Sequence, residues 1–292
     1  MSTLLVDSSF MAKRAYHGFP EIRGPDSDIY RHMIRGFFMT VFSIYFKLKP
    51  ERMILCFDGR SKYRYNLLPQ YKGNREHDPI WGLNMSIIMN ICTTLNIEWY
   101  IELDFEADDL IATLTRMIPG VINIATADKD MAQLINHRIN CYNPVNGLLM
   151  NHSEAIAKFG VRPDQMVDYL SMVSDTVDNV SGCDGIGKII AANLLSKYQN
   201  VESIIIDELP NKIKENFRKF RCPEHYGLAK NLITLLYDVP IKLEEKKMNI
   251  DYDKFRTAYI PKIWDIKPDF LNKLEPLIKE KSVGGLAELF DF

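Results

Sequence analysis

Four apolar, β-branched segments of the chain each lead directly into acidic residues, and this pattern constrains the fold more than any other feature. The segments are TLLV, RMILCF, IEWYI and VINIA, and RINCY is a further candidate. Each is typical of a buried strand, and helical patterns lie between them at 28–48, 82–95, 106–117 and 129–136. Alternating strands and helices predict an α/β fold with a mostly parallel sheet and flanking helices on both faces.

The strand signals fade after about residue 150. Helical patterns dominate beyond that point, at 151–159, 163–174, 187–198, 210–220 and 223–237. We therefore predict an α/β region over 1–150, a helical region over 151–285, and a tail over 286–292 that follows a Gly-Gly break.

Composition limits the class of protein without indicating a partner. The 292 residues are 47% hydrophobic and 25% charged, which predicts a soluble globular protein, and a formal net charge of −2 gives no global sign of nucleic-acid binding. Five scattered cysteines without a C-x-x-C pair argue against a zinc site or a disulfide framework and favour the reducing cytoplasm. The N-terminus lacks signal-peptide features, and the longest apolar stretch, GFFMTVFSIYF, is too short to cross a bilayer.

The acidic residues after the four strands are expected to meet at one edge of the sheet, where open parallel sheets bind their ligands. They are Asp7, Asp58, Glu106, Asp108, Asp109, Asp128 and Asp130. One acidic turn after a strand is usually a helix N-cap, but four strand ends with carboxylates make that explanation insufficient. Crowded carboxylates stay ionised only with cations beside them, and Mg²⁺ or Mn²⁺ prefer such oxygen ligands. The cluster therefore predicts a two-metal site for displacement at phosphate.

A second acidic pair lies in the helical region, in SDTVDNVSGCDGIGK. Asp175 and Asp178 are three residues apart and share a face of a helical turn. Gly185 and Gly187 follow, then Lys188 at the start of an amphipathic pattern, so backbone N–H groups could approach a phosphate there. A lone G-x-G is usually a tight turn, but the carboxylate pair just upstream makes this G-x-G a more specific sign of phosphate binding.

Residues 60–75, RSKYRYNLLPQYKGNR, are basic and rich in tyrosine. The cations are Arg60, Lys62, Arg64, Lys72 and Arg75, and the tyrosines are Tyr63, Tyr65 and Tyr71. Cations for phosphates and aromatic faces for bases suit single-stranded nucleic acid, although a solvated loop is the alternative. The segment follows Asp58 directly, which favours the first interpretation. A second basic run at 211–221 is more typical of a solvated helix face, and duplex contact there stays open.

Taken together, these motifs resemble the 5′-nuclease family, which comprises flap endonucleases, bacteriophage 5′-exonuclease/RNase H enzymes and the 5′-nuclease domain of bacterial DNA polymerase I. The matching stretches are VDSS, FDGRSKYRYNLLPQYKGNR, EADDLIATL, TADKDMAQL and SDTVDNVSGCDGIG, in the family's order over about residues 4–198. The resemblance implies a PIN-like α/β fold followed by a helix-hairpin-helix region in its helix–three-turn–helix form. It also implies two Mg²⁺ or Mn²⁺ ions and cleavage of branched or flapped DNA or RNA/DNA near a 5′ single-strand junction. The chain length resembles that of a stand-alone phage-type enzyme.

The resemblance also implies roles for individual residues. The metal ligands would be Asp7, Asp58, Glu106, Asp108 and Asp109 around one ion, and Asp128, Asp130, Asp175 and Asp178 around the other. Lys72 and Arg75 would polarise the scissile phosphate, and Tyr71 would stack on a base. The basic side chains of Arg60, Lys62 and Arg64 would hold the single strand, while Gly185, Gly187 and Lys188 would hold the duplex beside a K⁺ ion.

Two positions depart from the family pattern. Asp7 is followed by Ser8 where the family usually has glycine, a change compatible with an intact metal site. Ile189 stands where the hairpin usually has a lysine, and Lys188, one residue earlier, points elsewhere on a helix.

The tail, GGLAELFDF, resembles the C-terminal peptides with which phage replication proteins bind a sliding clamp. Its apolar side chains are Leu286, Leu289, Phe290 and Phe292, and the alternative is that they fold back onto the core. The expected partners are thus nucleic acid, a sliding clamp and a single-strand-binding protein, with the chain itself a monomer.

Three other functions compete with this interpretation. A PIN-domain endoribonuclease would share the acidic strand ends but lack the basic segment and the glycine hairpin. A nuclease-dead DNA-binding protein would be expected to have lost carboxylates, and none is missing here. A phosphatase would need its aspartate pair directly after the first strand. The sequence leaves open the balance of exonuclease and flap activity and the preference for RNA or DNA.

Overall fold

The computed structural model describes residues 1–19, 28–73, 78, 80–176 and 178–243. Arg75 and the tail over 286–292 lie outside the described residues, so the predictions made for them stay predictions.

A six-stranded sheet forms the centre of the N-terminal region. Its strands are β1 (Ser2–Asp7), β2 (Arg52–Phe57), β3 (Glu98–Ile101), β4 (Val121–Ala125), β5 (Ile139–Asn143) and β6 (Leu148–Met150). The order across the sheet is β3-β2-β1-β4-β5-β6, with β6 antiparallel to β5 and all other neighbours parallel. All five predicted strands are present. The short β6 escaped prediction because it has three residues and is largely exposed, so it carries no burial pattern.

Ten α-helices surround or follow the sheet in the described part of the chain. They are α1 (Ser8–Gly18), α2 (Arg31–Leu48), α3 (Lys62–Leu67), α4 (Trp81–Thr94), α5 (Ala107–Met117), α6 (His152–Phe159), α7 (Met166–Met172), α8 (Lys188–Lys197), α9 (Asn211–Phe220) and α10 (Leu228–Ile233). Short 3₁₀ turns cover Asp130–Leu134, Pro163–Gln165, Val201–Ser203 and Ile206–Glu208, and a π-helical turn covers Pro223–Gly227. The predicted helix at 129–136 is therefore only a 3₁₀ turn.

The two faces of the sheet bury separate cores. One face packs against α1, α2 and α4 through residues such as Val6, Phe38 and Leu55. The other face packs against α5 and the helical region, in a cluster that runs from Leu5 to Phe217. A mostly parallel sheet covered on both faces is the predicted architecture; β2 is buried along its whole length and β1 from its second residue onward. Among the described residues, none of the helices combines the length and hydrophobicity needed to span a bilayer.

Candidate metal centre

Three carboxylates lie at the carboxyl ends of three adjacent strands. Strand β1 pairs with β2 on one side and β4 on the other. Asp7 ends β1, Asp58 follows β2, and Asp128 lies three residues beyond β4. The chain's crossovers run in opposite directions from β1, so this edge is the switch point where open α/β sheets bind ligands.

Backbone and hydroxyl donors orient two of these carboxylates. Asp7 caps α1, since its Oδ1 accepts from the Phe10 amide at 2.9 Å, while its Oδ2 accepts from Thr126 Oγ1 at 2.9 Å. Asp58 Oδ1 accepts from the Ala107 amide at 2.8 Å, which ties the end of β2 to the first turn of α5. The Asp7 carboxylate can therefore cap α1 and also form part of the acidic cluster.

A close backbone approach positions the turn after Asp58. A Cβ on Gly59 would lie 2.0 Å from the carbonyl oxygen of Glu102, so no larger residue fits without moving the chain. The amide of Gly59 donates to the Phe105 carbonyl at 2.9 Å. This contact holds the segment between β3 and α5 against the end of β2 and brings the acidic first turn of α5 to the cluster.

Mutual repulsion and burial raise the pKa values of the clustered acids. Burial, and then the charge of Asp58, raises the pKa of Asp7 to about 7. Burial followed by the charges of Asp128 and Asp7 holds the pKa of Asp108 well above its usual value. The pKa of Asp130 is likewise well above its usual value, through burial and the charge of Asp128. Such a cluster is more stable with bound cations than as bare, mutually repelling carboxylates.

A second group of carboxylates joins the two regions of the protein. Oxygen atoms of Asp130, Asp175 and Asp178 all lie within 4.8 Å of one another. Asp130 Oδ1 is buried without a hydrogen-bond partner among the described residues, which is unfavourable unless a ligand meets it. Oxygen donors at this spacing suit a hard divalent ion. The residues present therefore fit the predicted metal chemistry.

Two lysine ammonium groups reach into the acidic clusters. Lys72 Nζ lies 2.5 Å from Glu106 Oε1 and 4.0 Å from Asp178 Oδ2. Lys129 Nζ lies 2.7 Å from Asp175 Oδ2. The sequence interpretation identified Lys72 but missed Lys129, although its place between Asp128 and Asp130 was a usable signal.

Arg64 and Asp109 form a buried ion pair that the sequence did not indicate. The guanidinium of Arg64 donates to both oxygens of Asp109, at 2.6 and 2.8 Å, and to the Leu232 carbonyl at 2.8 Å. Arg64 is 2% exposed and Asp109 is 0% exposed. In this structure the Arg64 guanidinium and the Asp109 carboxylate therefore face each other in the core, and the nucleic-acid role of Arg64 and the metal-ligand role of Asp109 stay predictions. Neighbouring helical residues point about 100° apart, and here Asp108 lies near the charges of Asp128 and Asp7 while Asp109 faces Arg64.

Tyr71 and Glu106 also differ from expectation. The ring of Tyr71 is 3% exposed, so it packs in the core and does not offer a face to a base in this conformation. Its hydroxyl donates to Glu106 Oε2 at 3.2 Å, and Arg64 Nη1 lies 3.1 Å from the same oxygen. With Lys72 on the other oxygen, Glu106 anchors three donors, and its assignment as a metal ligand stays a prediction.

The remaining predicted nucleic-acid contacts are accessible. Arg60 and Lys62 are exposed beside the acidic edge, with the Arg60 guanidinium 5.0 Å from the Tyr65 ring centre. Gly185 adopts a φ of 85°, a conformation that favours glycine, and Gly187 caps α8, which Lys188 begins. Ile189 is 77% exposed at the position where the family usually has a lysine. Their roles stay predictions.

The raised pKa values predict that the metal-free protein loses stability as the pH rises. Acids with a raised folded pKa bind more protons in the folded than in the unfolded state, so the free energy of unfolding falls with pH. For Asp7 the window runs from 3.8 to about 7. In EDTA, the melting temperature should be several degrees lower at about pH 8 than at about pH 5. Millimolar Mg²⁺ or Mn²⁺ should restore most of the loss.

Thermal melts at both pH values, with and without metal, check this prediction. The variant Asp7→Asn provides the control, because an amide has no titration in this range and should flatten the dependence. A melting temperature that is the same or higher at the upper pH in EDTA would show that these carboxylates do not repel one another.

Comparison with known proteins places the chain among nucleases. Residues 2–160 match the family described as 5′-3′ exonuclease, N-terminal resolvase-like domain, and residues 161–255 match 5′-3′ exonuclease, C-terminal SAM fold. A 5′-3′ exonuclease of Aquifex aeolicus is 30% identical over 298 residues, covering 100% of this chain and 96% of the relative. DNA polymerase I of Bacillus subtilis is 26% identical over 269 residues, covering 88% of this chain but 30% of the polymerase.

Solved structures with the same fold agree with the predicted class. The T5 D15 protein co-crystallised with metal ions superimposes with a TM-score of 0.65 at 18% identity, covering 98% of this chain and 100% of that one. The catalytic core of Rad2 in complex with a DNA substrate gives a TM-score of 0.50 at 15% identity, covering 98% and 88%. The predicted PIN-like sheet with a following helical region is confirmed.

Proposed function

Because the chain belongs to the 5′-3′ exonuclease family, we propose that it is a divalent-metal-dependent 5′ nuclease acting near single-strand/duplex junctions. The observation that carries the proposal is the meeting of Asp7, Asp58, Asp108 and Asp128 at the switch point of the sheet, with Asp130, Asp175 and Asp178 beside them. Two Mg²⁺ or Mn²⁺ ions held there would supply Lewis-acid activation of water and stabilisation of charge on the phosphodiester.

The protein side chains would position these ions and the substrate. Thr126 and the Phe10 amide hold the Asp7 carboxylate in one orientation, and the Ala107 amide holds that of Asp58. Preorganised carboxylates need no rearrangement during the reaction, which is the condition for effective electrostatic catalysis. Lys72, 14% exposed and anchored on Glu106, is placed to move its ammonium onto the scissile phosphate.

Replacing Lys72 with alanine is expected to lower the single-turnover rate of cleavage by about 10²-fold, because a cation aimed at developing charge is lost. Rapid-quench measurements at saturating substrate separate this effect from binding. Lys62→Ala is the matched comparison, since Lys62 is exposed on α3 in the same basic segment. Its rate should recover fully at saturating substrate, and equal behaviour of the two variants would make Lys72 a simple phosphate tether. Arg75 is proposed to act with Lys72.

Branched or flapped DNA is the substrate that the comparisons favour. A T5 D15 flap endonuclease structure is described as a pseudo-enzyme-product complex with DNA and metal ions. In this chain, Arg60 and Lys62 are exposed shortly after Asp58, and the exposed Gly185–Gly187 hairpin follows Asp178 in the chain, so both are available for nucleic-acid contacts.

Cleavage of end-labelled substrates tests the proposal. Flap, nicked, RNA/DNA and single-stranded substrates are compared in Mg²⁺ and in EDTA. Metal-dependent release of short products from the 5′ end of branched DNA or RNA/DNA is expected. Activity on single-stranded RNA alone would instead identify a PIN-domain endoribonuclease, and metal-dependent binding without cleavage would identify a nuclease-dead DNA-binding protein.

Several finer properties belong to the same proposal. We propose that the hairpin binds a K⁺ ion beside the duplex, and that the tail over 286–292 binds a sliding clamp during replication of a phage genome. Removal of RNA primers through an RNase H activity would suit that role, with a single-strand-binding protein as a further partner and the monomer as the active form. The proposed division is 1–150 for catalysis, 151–285 for DNA binding and 286–292 for the clamp.

A further inference from the structure

Lys129 is placed between two carboxylates and bonded to a third. It lies in the turn after β4, between Asp128 and Asp130, and its Nζ contacts Asp175 Oδ2 at 2.7 Å. The Lys129 side chain is 41% exposed and that of Asp175 is 14% exposed, so the lysine of the ion pair is accessible to solvent while the carboxylate is largely buried. The contact joins the α/β region to the turn that follows α7.

The ion pair occupies the same carboxylate that the second group of acids offers to a metal. Asp130, Asp175 and Asp178 present oxygens within 4.8 Å of one another. The carboxylate of Asp175 in this group is also the one that accepts from Lys129. An ammonium has three donors and no acceptor, so it cannot itself coordinate a cation, and it competes with a cation for the carboxylate oxygen that it occupies. Its positive charge also repels a divalent ion a few ångströms away.

We propose that Lys129 is an internal competitor for the divalent ion at Asp130, Asp175 and Asp178, and that its displacement couples loading of this site to substrate binding. This inference rests on the proposed function. When an ion takes Asp175, the ammonium loses its partner, and its flexible four-carbon stem allows it to turn toward the open edge. A phosphodiester arriving at that edge supplies the replacement anion.

The coupling follows from thermodynamic linkage. If the phosphodiester stabilises the displaced lysine, it strengthens metal binding, and the metal strengthens phosphodiester binding by the same factor. Free enzyme would then hold the second ion weakly, and enzyme on DNA would hold it tightly. Lys129 is in this respect a positioning residue, since it acts on the metal site rather than on the reacting atoms.

Calorimetric titration of the metal-free protein with Mn²⁺, without nucleic acid, tests whether Lys129 competes with the ion. Lys129→Met should tighten the weaker site about fivefold or more, because the competing ion pair and its charge are removed. Lys129→Arg, which keeps the charge, should stay close to wild type. Lys158→Met is the matched control, because exposed Lys158 lines the same cleft as Asp128 without contacting these carboxylates. Equal or weaker Mn²⁺ binding in Lys129→Met would show that Lys129 merely supports Asp175 and would overturn the proposal.

The coupling of metal binding to substrate binding is tested by repeating the titrations with a flap duplex. This duplex carries phosphorothioate linkages around the junction, which keep the charge and resist hydrolysis. DNA should tighten Mn²⁺ binding in the wild type and in Lys158→Met, and the gain should shrink in Lys129→Met. The same gain in all three would overturn the coupling. A wild-type protein that binds no Mn²⁺ would overturn the proposed function as well, whereas two bound ions with an unchanged Lys129→Met would overturn this inference alone.

Discussion

Replacing Asp128 with asparagine is expected to lower the single-turnover rate of 5′ cleavage by about 10³-fold or more, because the loss of one ligand charge removes several kcal/mol of transition-state stabilisation. Asp128 raises the pKa of both Asp7 and Asp108 through its charge, so it lies close to both. The amide keeps the acceptor oxygen that receives the Asp130 amide at 2.9 Å, and the local fold should survive.

The affinity of the Asp128→Asn variant for DNA should not fall with its cleavage rate. A negative charge facing the phosphate backbone is removed, so affinity for DNA in Ca²⁺ or EDTA should stay the same or increase. Rapid-quench kinetics and fluorescence anisotropy measure the two quantities separately. A variant that cleaves at the wild-type rate, or a wild-type enzyme that is fully active in EDTA, would exclude the two-metal reaction.

Glu154→Gln is the matched control for this experiment. Glu154 lines the same cavity of about 240 Å³ as Asp128, but it serves as a helix cap, with Oε2 accepting from the Asn151 amide at 2.7 Å. Its neutralisation changes the net charge of the cleft by the same amount and should leave the rate unchanged. Comparable losses in both variants would point to the general field of the cleft rather than to a ligand role for Asp128.

The sheet and its acidic edge could be predicted because each depends on a short-range pattern. Buried parallel strands are continuous apolar runs, and their carboxyl ends share one edge whatever the detailed packing. Helix α1 was missed because its short-range pattern is weak. Its buried face consists of Ser8, Ser9, Ala12 and Ala15 with one large apolar residue, Met11, so the apolar periodicity of a helix is not evident.

The partners of charged residues could not be predicted, because they depend on helix phase and on contacts remote in sequence. Arg64 meets Asp109 across 45 positions, and Lys129 meets Asp175 across 46. From sequence, the Arg64 guanidinium and the Arg60 guanidinium looked alike, yet one is buried and the other exposed. The packing of α3 beside α5 places the Arg64 guanidinium against Asp109.

Replacing Arg64 with methionine is expected to lower the free energy of unfolding by about 3–5 kcal/mol, because it leaves the Asp109 carboxylate buried without a counter-ion. The Arg64 guanidinium donates several buried hydrogen bonds. It bonds both Asp109 oxygens and the carbonyl oxygens of Leu232 and Thr234. Urea unfolding of the metal-free protein measures the change, which should shift the midpoint without altering the slope.

Arg60→Met is the matched control, since it removes the same side chain from the same segment at an exposed position and should change stability by less than about 1 kcal/mol. The double variant Arg64→Met with Asp109→Leu should recover most of the loss, because both charges then leave the core together. An Arg64→Met protein of wild-type stability that lost only DNA affinity would restore the original interpretation of Arg64 as a nucleic-acid contact.

The same substitution should have a local signature that a surface role would lack. Asp109 Oδ1 also accepts from the Leu236 amide at 2.9 Å, so Arg64 and Asp109 together hold the segment after α10 against α3 and α5. Without Arg64, the Leu236 amide should exchange with solvent much faster than amides in β1 or β4, whose ladder bonds are untouched. Because α3 lies in the basic segment that carries Lys72, loosening this network should also lower the cleavage rate, with no change in the metal ligands themselves.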